Sequence, residues 1–151
     1  MISDTINKEI ADALKKQDKL RVSVLRMLSS AINYKRIDKQ QELSKEEEIL
    51  VVKSEAKKRK DAIEIYEKLK DEDQVLEKLN REKEELKILK EYLPEEMSQE
   101  DVVKLVDAAI DETGAKSLSE MGKVIGSVME KAKGRADGKT VSALVKDKLT
   151  Q

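Results

Sequence analysis

Gly122 and Gly126 lie one helical turn apart and are followed by the loop Lys133-Gly-Arg-Ala-Asp-Gly-Lys139; in this chain, these are the residues whose types and spacing could do chemistry. That chemistry is the holding of an anion. Glycines without Cβ let another backbone come close, and free amides at the start of a following helix favour negative charge. Lys123, Lys131, Lys133, Arg135 and Lys139 supply cations, while Gly134 and Gly138 keep the loop backbone accessible. Glycine inside a helix costs about 1 kcal/mol relative to alanine, so two of them require a reason. One reason is a phosphate backbone lying along the glycine edge. The other, and the commoner use, is close packing of a neighbouring helix with the basic residues solvated. Asp137 subtracts from the positive potential in either case. Gly138-Lys-Thr140 has a superficial likeness to the end of a P-loop, but the Gly-x-x-x-x-Gly-Lys-Ser/Thr spacing is absent.

Other chemistry is hard to assemble. The chain has no Cys and no His, which removes thiol nucleophiles, zinc-ribbon ligands and the commonest general base near neutral pH. No carboxylate stands alone in an apolar stretch, where its pKa would shift usefully. The acidic runs lack the glycine-bearing loop of an EF-hand, and no serine sits in a Gly-x-Ser-x-Gly turn. No catalytic residue, metal or cofactor is therefore expected. Lys57-Lys-Arg-Lys60 falls within a predicted helix, where four consecutive residues fan around the circumference, and Glu55, Asp61 and Glu64 can pair with them. A solvated helix surface is the expectation there. Arg21, Arg26, Lys35 and Arg36 are expected to be ordinary surface too. Tyr34, Tyr66 and Tyr92 are the whole aromatic inventory and are expected to be half-buried in separate helices. A single-strand binder would want exposed stacking platforms, so an RNA partner would be folded RNA recognised by shape and backbone.

The elements that must position these groups are all helical. Charged residues make up 42% and aromatics 2%, with one Pro and five Gly in 151 residues, and period-2 alternation is absent. A first helix runs from Ser3 or Asp4 to Lys16, with Ile6, Ile10, Ala13 and Leu14 as its stripe. A second carries Leu20, Val24, Leu25, Leu28, Ala31 and Ile32 and ends near Arg36. Ser44-Lys-Glu-Glu47 is a capping box opening a long third helix to about Leu69. Asp71–Gln74 offers the next start, and the stripe continues to Pro94, which disfavours helix in the residue before it. The two long helices read as a hairpin rather than an extended coiled coil.

Composition changes after Pro94, which divides the chain into residues 1–94, an N-terminal helical domain, and 95–151, a small C-terminal three-helix bundle. Ser98 opens the first helix of that bundle and Gly114 stops it. Ser117-Leu-Ser-Glu120 reads as a second capping box opening the glycine helix. Its apolar face is Leu118, Met121, Ile125, Val128 and Ala132. Gly122, Gly126, Met129 and Lys133 run along its edge, and Lys123 and Lys131 point away from the core. Gly134 should end that helix and Asp137 cap the last. Net charge is −1, yet residues 95–114 carry seven acids and one lysine, while 115–151 carry eight Lys/Arg and four acids. A neutral total thus hides a cationic end. With no signal peptide and no apolar run of spanning length, the expectation is a soluble cytoplasmic protein.

Met121-Gly-Lys-Val-Ile-Gly-Ser-Val-Met129, Lys133-Gly-Arg-Ala-Asp-Gly138 and Val141-Ser-Ala-Leu-Val145 resemble the C-terminal signature of the GatB/YqeY family. Arg21-Val-Ser-Val-Leu-Arg-Met-Leu28, Lys58-Arg-Lys-Asp-Ala62 and Leu89-Lys-Glu-Tyr-Leu-Pro94 resemble its free-standing YqeY-like members. The likeness covers essentially the whole chain. It implies a two-part all-helical fold. In the GatB component of the tRNA-dependent amidotransferase, a similar module is a C-terminal appendage that helps hold the tRNA, and the kinase and transferase core of that component has no counterpart here. The family's glycine and basic positions fall on Gly122, Lys123, Gly126, Lys133, Gly134, Arg135 and Gly138, implied to contact tRNA or shape helices. Three functions follow as expectations. The first is a non-catalytic tRNA-binding or amidotransferase-associated protein, partnered by tRNA, the amidotransferase or another tRNA-handling protein. The second is a helical protein–protein adaptor without RNA contact. The third, disfavoured by the missing Cys, amidase signature and ATP site, is a carbon–nitrogen ligase using glutamine as amido donor.

Overall fold

A computed structural model describes all residues, Met1–Gln151. The chain is all-helical, and divides into two compact units, Met1–Leu93 and Pro94–Gln151. No helix is long and apolar enough to cross a membrane.

The first unit contains α1 (Ile2–Lys15), α2 (Lys19–Lys39), α3 (Lys45–Lys68) and α4 (Val75–Lys90). Helices α3 and α4 form the long hairpin. The core gathers Ile6 from α1, Val24, Leu25, Leu28 and Ile32 from α2, Val52 and Ala56 from α3, and Leu89 from α4. The 3/4 spacing in α2 puts four of these on one face, which is why that stripe is legible in the sequence. Ser44 caps α3 as its sequence demands: its hydroxyl accepts from the Glu47 N–H at 3.2 Å, and Glu47 reaches back to the Ser44 N–H at 2.7 Å.

Several details depart from the sequence expectations. Helix α2 continues to Lys39 and stops on Gln40 in the left-handed conformation. Helix α4 does start directly after Asp71–Gln74, but on a left-handed Gln74 without a side-chain cap. Leu14, expected on the apolar stripe of the first helix, is exposed, as are Leu69 and Leu76. Tyr34 is 75% exposed rather than half-buried, because no other helix of the first unit covers that side of α2. Arg59 is no solvated cation either. It lies between α3 and α4, with Nε 2.8 Å from Glu85 and 3.6 Å from Glu82. Burial in this cluster pushes the Glu82 carboxyl above its usual range.

Carboxylates also take buried roles that the sequence does not reveal. Glu48 on α3 is 1% exposed and accepts from the first amides of α1, Ile2 N–H at 2.6 Å and Ser3 N–H at 3.2 Å. It is a long-range N-terminal cap, stabilised further by the positive end of the α1 dipole. Tyr92 donates its hydroxyl to Glu9, and Arg21 makes a two-pronged pair with Glu91 at 2.7 and 3.0 Å. Together these tie the end of α4 to α1 and α2. The Arg21 hydrogen bond holds the Glu91 carboxyl below its usual range. Burial, then the bond to Glu9, pushes the Tyr92 hydroxyl up.

The second unit contains α5 (Gln99–Thr113), α6 (Met121–Ala132) and α7 (Gly138–Thr150). Its core is almost entirely valine and alanine: Val102, Val106 and Ala109 from α5, Val124 and Val128 from α6, Val141 and Val145 from α7. Such short side chains let three helices converge with little volume between them. Ser98 caps α5, accepting from the Asp101 N–H at 3.1 Å, and Gly114 ends it at φ 65°.

Candidate nucleic-acid interface

Helix α6 does not start on a closed capping box. Leu118–Glu120 form a 3-10 turn, and the Ser117 side chain makes no cap bond. Glu120 accepts instead from the Lys116 N–H at 2.9 Å, which holds its carboxyl below the usual range. With α6 starting one turn later, its buried face is Val124, Val128 and Ala132, and Leu118 is exposed. Met121 and Ile125 pack against the same core, so the face read from the sequence holds apart from the exposed Leu118 and the omission of Val124.

Gly122 and Gly126 lie on the exposed side of α6. A Cβ placed on either would meet no heavy atom within 4 Å. This overturns the helix-packing reading of the pair, since neither α5 nor α7 approaches that edge. Gly138, in the first turn of α7, is likewise open. Gly114 and Gly134 are different in kind. Their φ values of 65° and 83° lie where L side chains are strained, so turn geometry accounts for them.

The loop after α6 begins one residue earlier than expected. Lys133 is already left-handed at φ 47°, and Gly134 follows with a second positive φ. The chain reverses here and is pinned to the segment after Pro94. The Met97 N–H donates to the Arg135 carbonyl at 2.7 Å, and Arg135 Nε donates to the Glu95 carbonyl at 3.0 Å. Arg135 is thus both an exposed cation and a clamp on the loop. Nothing local in the sequence signals these bonds, which join segments far apart along the chain.

Charge is arranged less simply than residue counts along the chain imply. Lys131 is exposed as expected, but it is ion-paired with Glu112 on α5. Lys148 on α7 pairs with Asp107 at 2.9 Å. The acidic helix therefore lies against the basic end and neutralises one flank of it. Asp137 accepts from the Thr140 N–H at 3.2 Å, so a carboxylate of the chain already sits at the α7 N-terminus. Lys123 and Lys133 are exposed outside these pairs, and Lys139 is exposed in the first turn of α7. The structure thus gathers Gly122, Lys123, Gly126, Lys133, Gly134, Arg135, Gly138 and Lys139 on α6, its loop and the start of α7, and sets Lys131 on the α5 flank. What results is an open backbone edge bordered by cations, with the helix-terminus cradle filled from within.

A family model described as Yqey-like protein matches residues 3–149. A Glutamyl-tRNA(Gln) amidotransferase component of Thermococcus gammatolerans (strain DSM 15229 / JCM 11827 / EJ3) is 37% identical over 59 residues, or 36% of this chain and 9% of the relative. The chain therefore corresponds to only a small part of that relative. The family match leaves out only two residues at each end, and the chain belongs to the YqeY-like protein family.

Proposed function

We propose that this protein is a non-catalytic tRNA-binding module, acting beside a tRNA-dependent amidotransferase or a related tRNA-handling protein. The observation that carries the reading is the open edge of α6. Gly122 and Gly126 each impose a helix-propensity cost, yet nothing within 4 Å of either needs the space. A partner whose backbone runs along that edge supplies the missing reason. Lys123, Lys133 and Arg135 border it and suit a phosphate backbone, with Lys139 at its far end. The relative whose name mentions tRNA points to the same class of partner. Catalysis is no part of the proposal, because a chain without His or Cys lacks the usual groups for glutamine hydrolysis or acyl transfer.

Fluorescence-anisotropy titration of labelled tRNA at about 50 and 200 mM salt tests the reading. About three phosphate contacts predict a log–log salt slope near −3, and the triple variant Lys123→Glu, Lys133→Glu, Arg135→Glu should abolish binding. Undetectable affinity at low salt, or a triple variant that binds as well as the parent, overturns it.

A further inference from the structure

Helices α2 and α3 of the first unit leave an open groove of about 1170 Å³ between them. Its apolar lining is Met27, Ala31 and Tyr34 on α2, at i, i+4 and i+7, and Leu50 and Val51 on α3. Tyr34 is 75% exposed and Leu50 60%, with Ile37 at 68% one turn beyond Tyr34. Helix α2 thus presents an apolar stripe to solvent, with Leu50 and Val51 of α3 beside it, which together make the floor of a helix-in-groove site.

The charges around the groove narrow the choice of occupant. Lys35, Lys58 and Arg59 are matched by Asp38, Glu47 and Glu55. Lys58 pairs with Glu55 at 2.7 Å, Lys35 faces Asp38 at 3.9 Å, and Glu47 and Arg59 pair with Lys39 and Glu85. A lining with three charges of each sign, all paired, has no field to attract a phosphate backbone. It suits an uncharged apolar strip. Size narrows the choice again. From Met27 to Asp38 the groove is about 17 Å long, and two helix widths of about 10 Å give roughly 350 Å² per side. That is under half of the roughly 800 Å² per partner in a stable interface, so an occupant seated here alone makes a weak, transient contact rather than a permanent dimer. One helix of about three turns fits the length.

We propose that the α2–α3 groove docks a single amphipathic helix of a partner protein, one presenting aliphatic side chains at i, i+3 or i+4, and i+7. This is independent of the tRNA reading, which concerns the other unit.

The test is a random 16-residue peptide library displayed on phage, selected on the full chain and counter-selected on Leu50→Glu. Both Leu50→Glu and Tyr34→Glu alter exposed side chains, and unchanged melting temperatures verify that the variants fold. Selected peptides should share aliphatic residues at helical spacing, gain helicity on binding, and lose at least tenfold in affinity to either variant. The parent should sediment as a monomer at concentrations where the peptides bind. No enrichment, or peptides without that spacing, overturns the proposal. So does a concentration-dependent dimer abolished by Leu50→Glu, which assigns the groove to a second copy. A loss of tRNA affinity in Tyr34→Glu would assign it to RNA and overturn the proposal equally.

Discussion

Replacing Gly126 by alanine should make the protein more stable and worse at binding RNA, and the opposite signs are what give the experiment its force. Gly126 sits in the middle of α6, where the full propensity difference of about 1 kcal/mol applies. An alanine Cβ there meets nothing within 4 Å, so no clash subtracts from the gain. Gly122 lies in the first turn, where helical restraint is weaker, and about half that gain is expected. The double variant should therefore be about 1.5 kcal/mol more stable than the parent. In calorimetry, each kcal/mol raises the melting temperature by about 2–4 °C if all 151 residues unfold together, or about 4–8 °C if the second unit melts by itself. In the anisotropy titration, two methyl groups inserted where a phosphate backbone passes should weaken tRNA binding at least tenfold, or about 1.4 kcal/mol. Destabilisation by Gly126→Ala would mean that the glycine accommodates a contact within the fold, and would refute the reasoning from the open edge. A stabilised variant that binds tRNA unchanged would refute the assignment of that edge to RNA.

The first unit supplies three further expectations. Glu48→Ala strands the first two amides of α1 beside a buried site and should cost about 2–3 kcal/mol in chemical denaturation, with faster amide exchange at Ile2 and Ser3; unchanged exchange would remove Glu48 as the cap. Arg59→Met removes the cation held between Glu82 and Glu85, leaving only the exposed Arg81 on Glu85, and should cost about 2–4 kcal/mol at pH 7. Because burial already raises the Glu82 pKa, that deficit should shrink as pH falls below the unfolded carboxyl value and grow as pH rises through the folded one; a loss independent of pH would contradict this account. Tyr92 has a raised folded pKa, so its contribution is complete below its unfolded value of about 10 and is lost as pH rises through the folded value. Tyr92→Phe should cost about 1 kcal/mol at pH 7 and flatten the alkaline decline in stability measured by urea denaturation, whereas an unaltered decline would show that Tyr92 does not cause it.

What the sequence shows plainly is what depends on neighbours within one or two turns. The 3/4 stripe of α2, the capping box at Ser44, the Ser98 and Asp137 caps and the Gly114 stop all appear where local chemistry puts them. Each needs only a side chain or a backbone turn and an amide a few residues away. Where two local rules compete, the reading weakens. Ser117-Leu-Ser-Glu120 has capping-box spacing, but Glu120 bonds outward to Lys116 and the turn tightens to 3-10. For the candidate interface, residue types were legible but surroundings were not. Lys131 looks like its cationic neighbours in sequence, and only the packing of α5 shows that Glu112 already holds it.

The sequence by itself determined that the chain is helical, where α3, α5 and α7 are capped, and that two glycines in α6 needed an explanation. Helix periodicity and capping are set by interactions a few residues apart, so they survive without knowledge of the fold. Tertiary structure alone decided that neither α5 nor α7 approaches Gly122 or Gly126, that Tyr34 and Leu50 stand open, that Glu48 is buried and that Arg59 is held by carboxylates of α4. Those outcomes depend on which helix faces which, a choice made by the summed burial of many apolar side chains distant in sequence. A glycine bears the same helix cost whether its missing Cβ faces a neighbour or solvent, and only the folded chain distinguishes them.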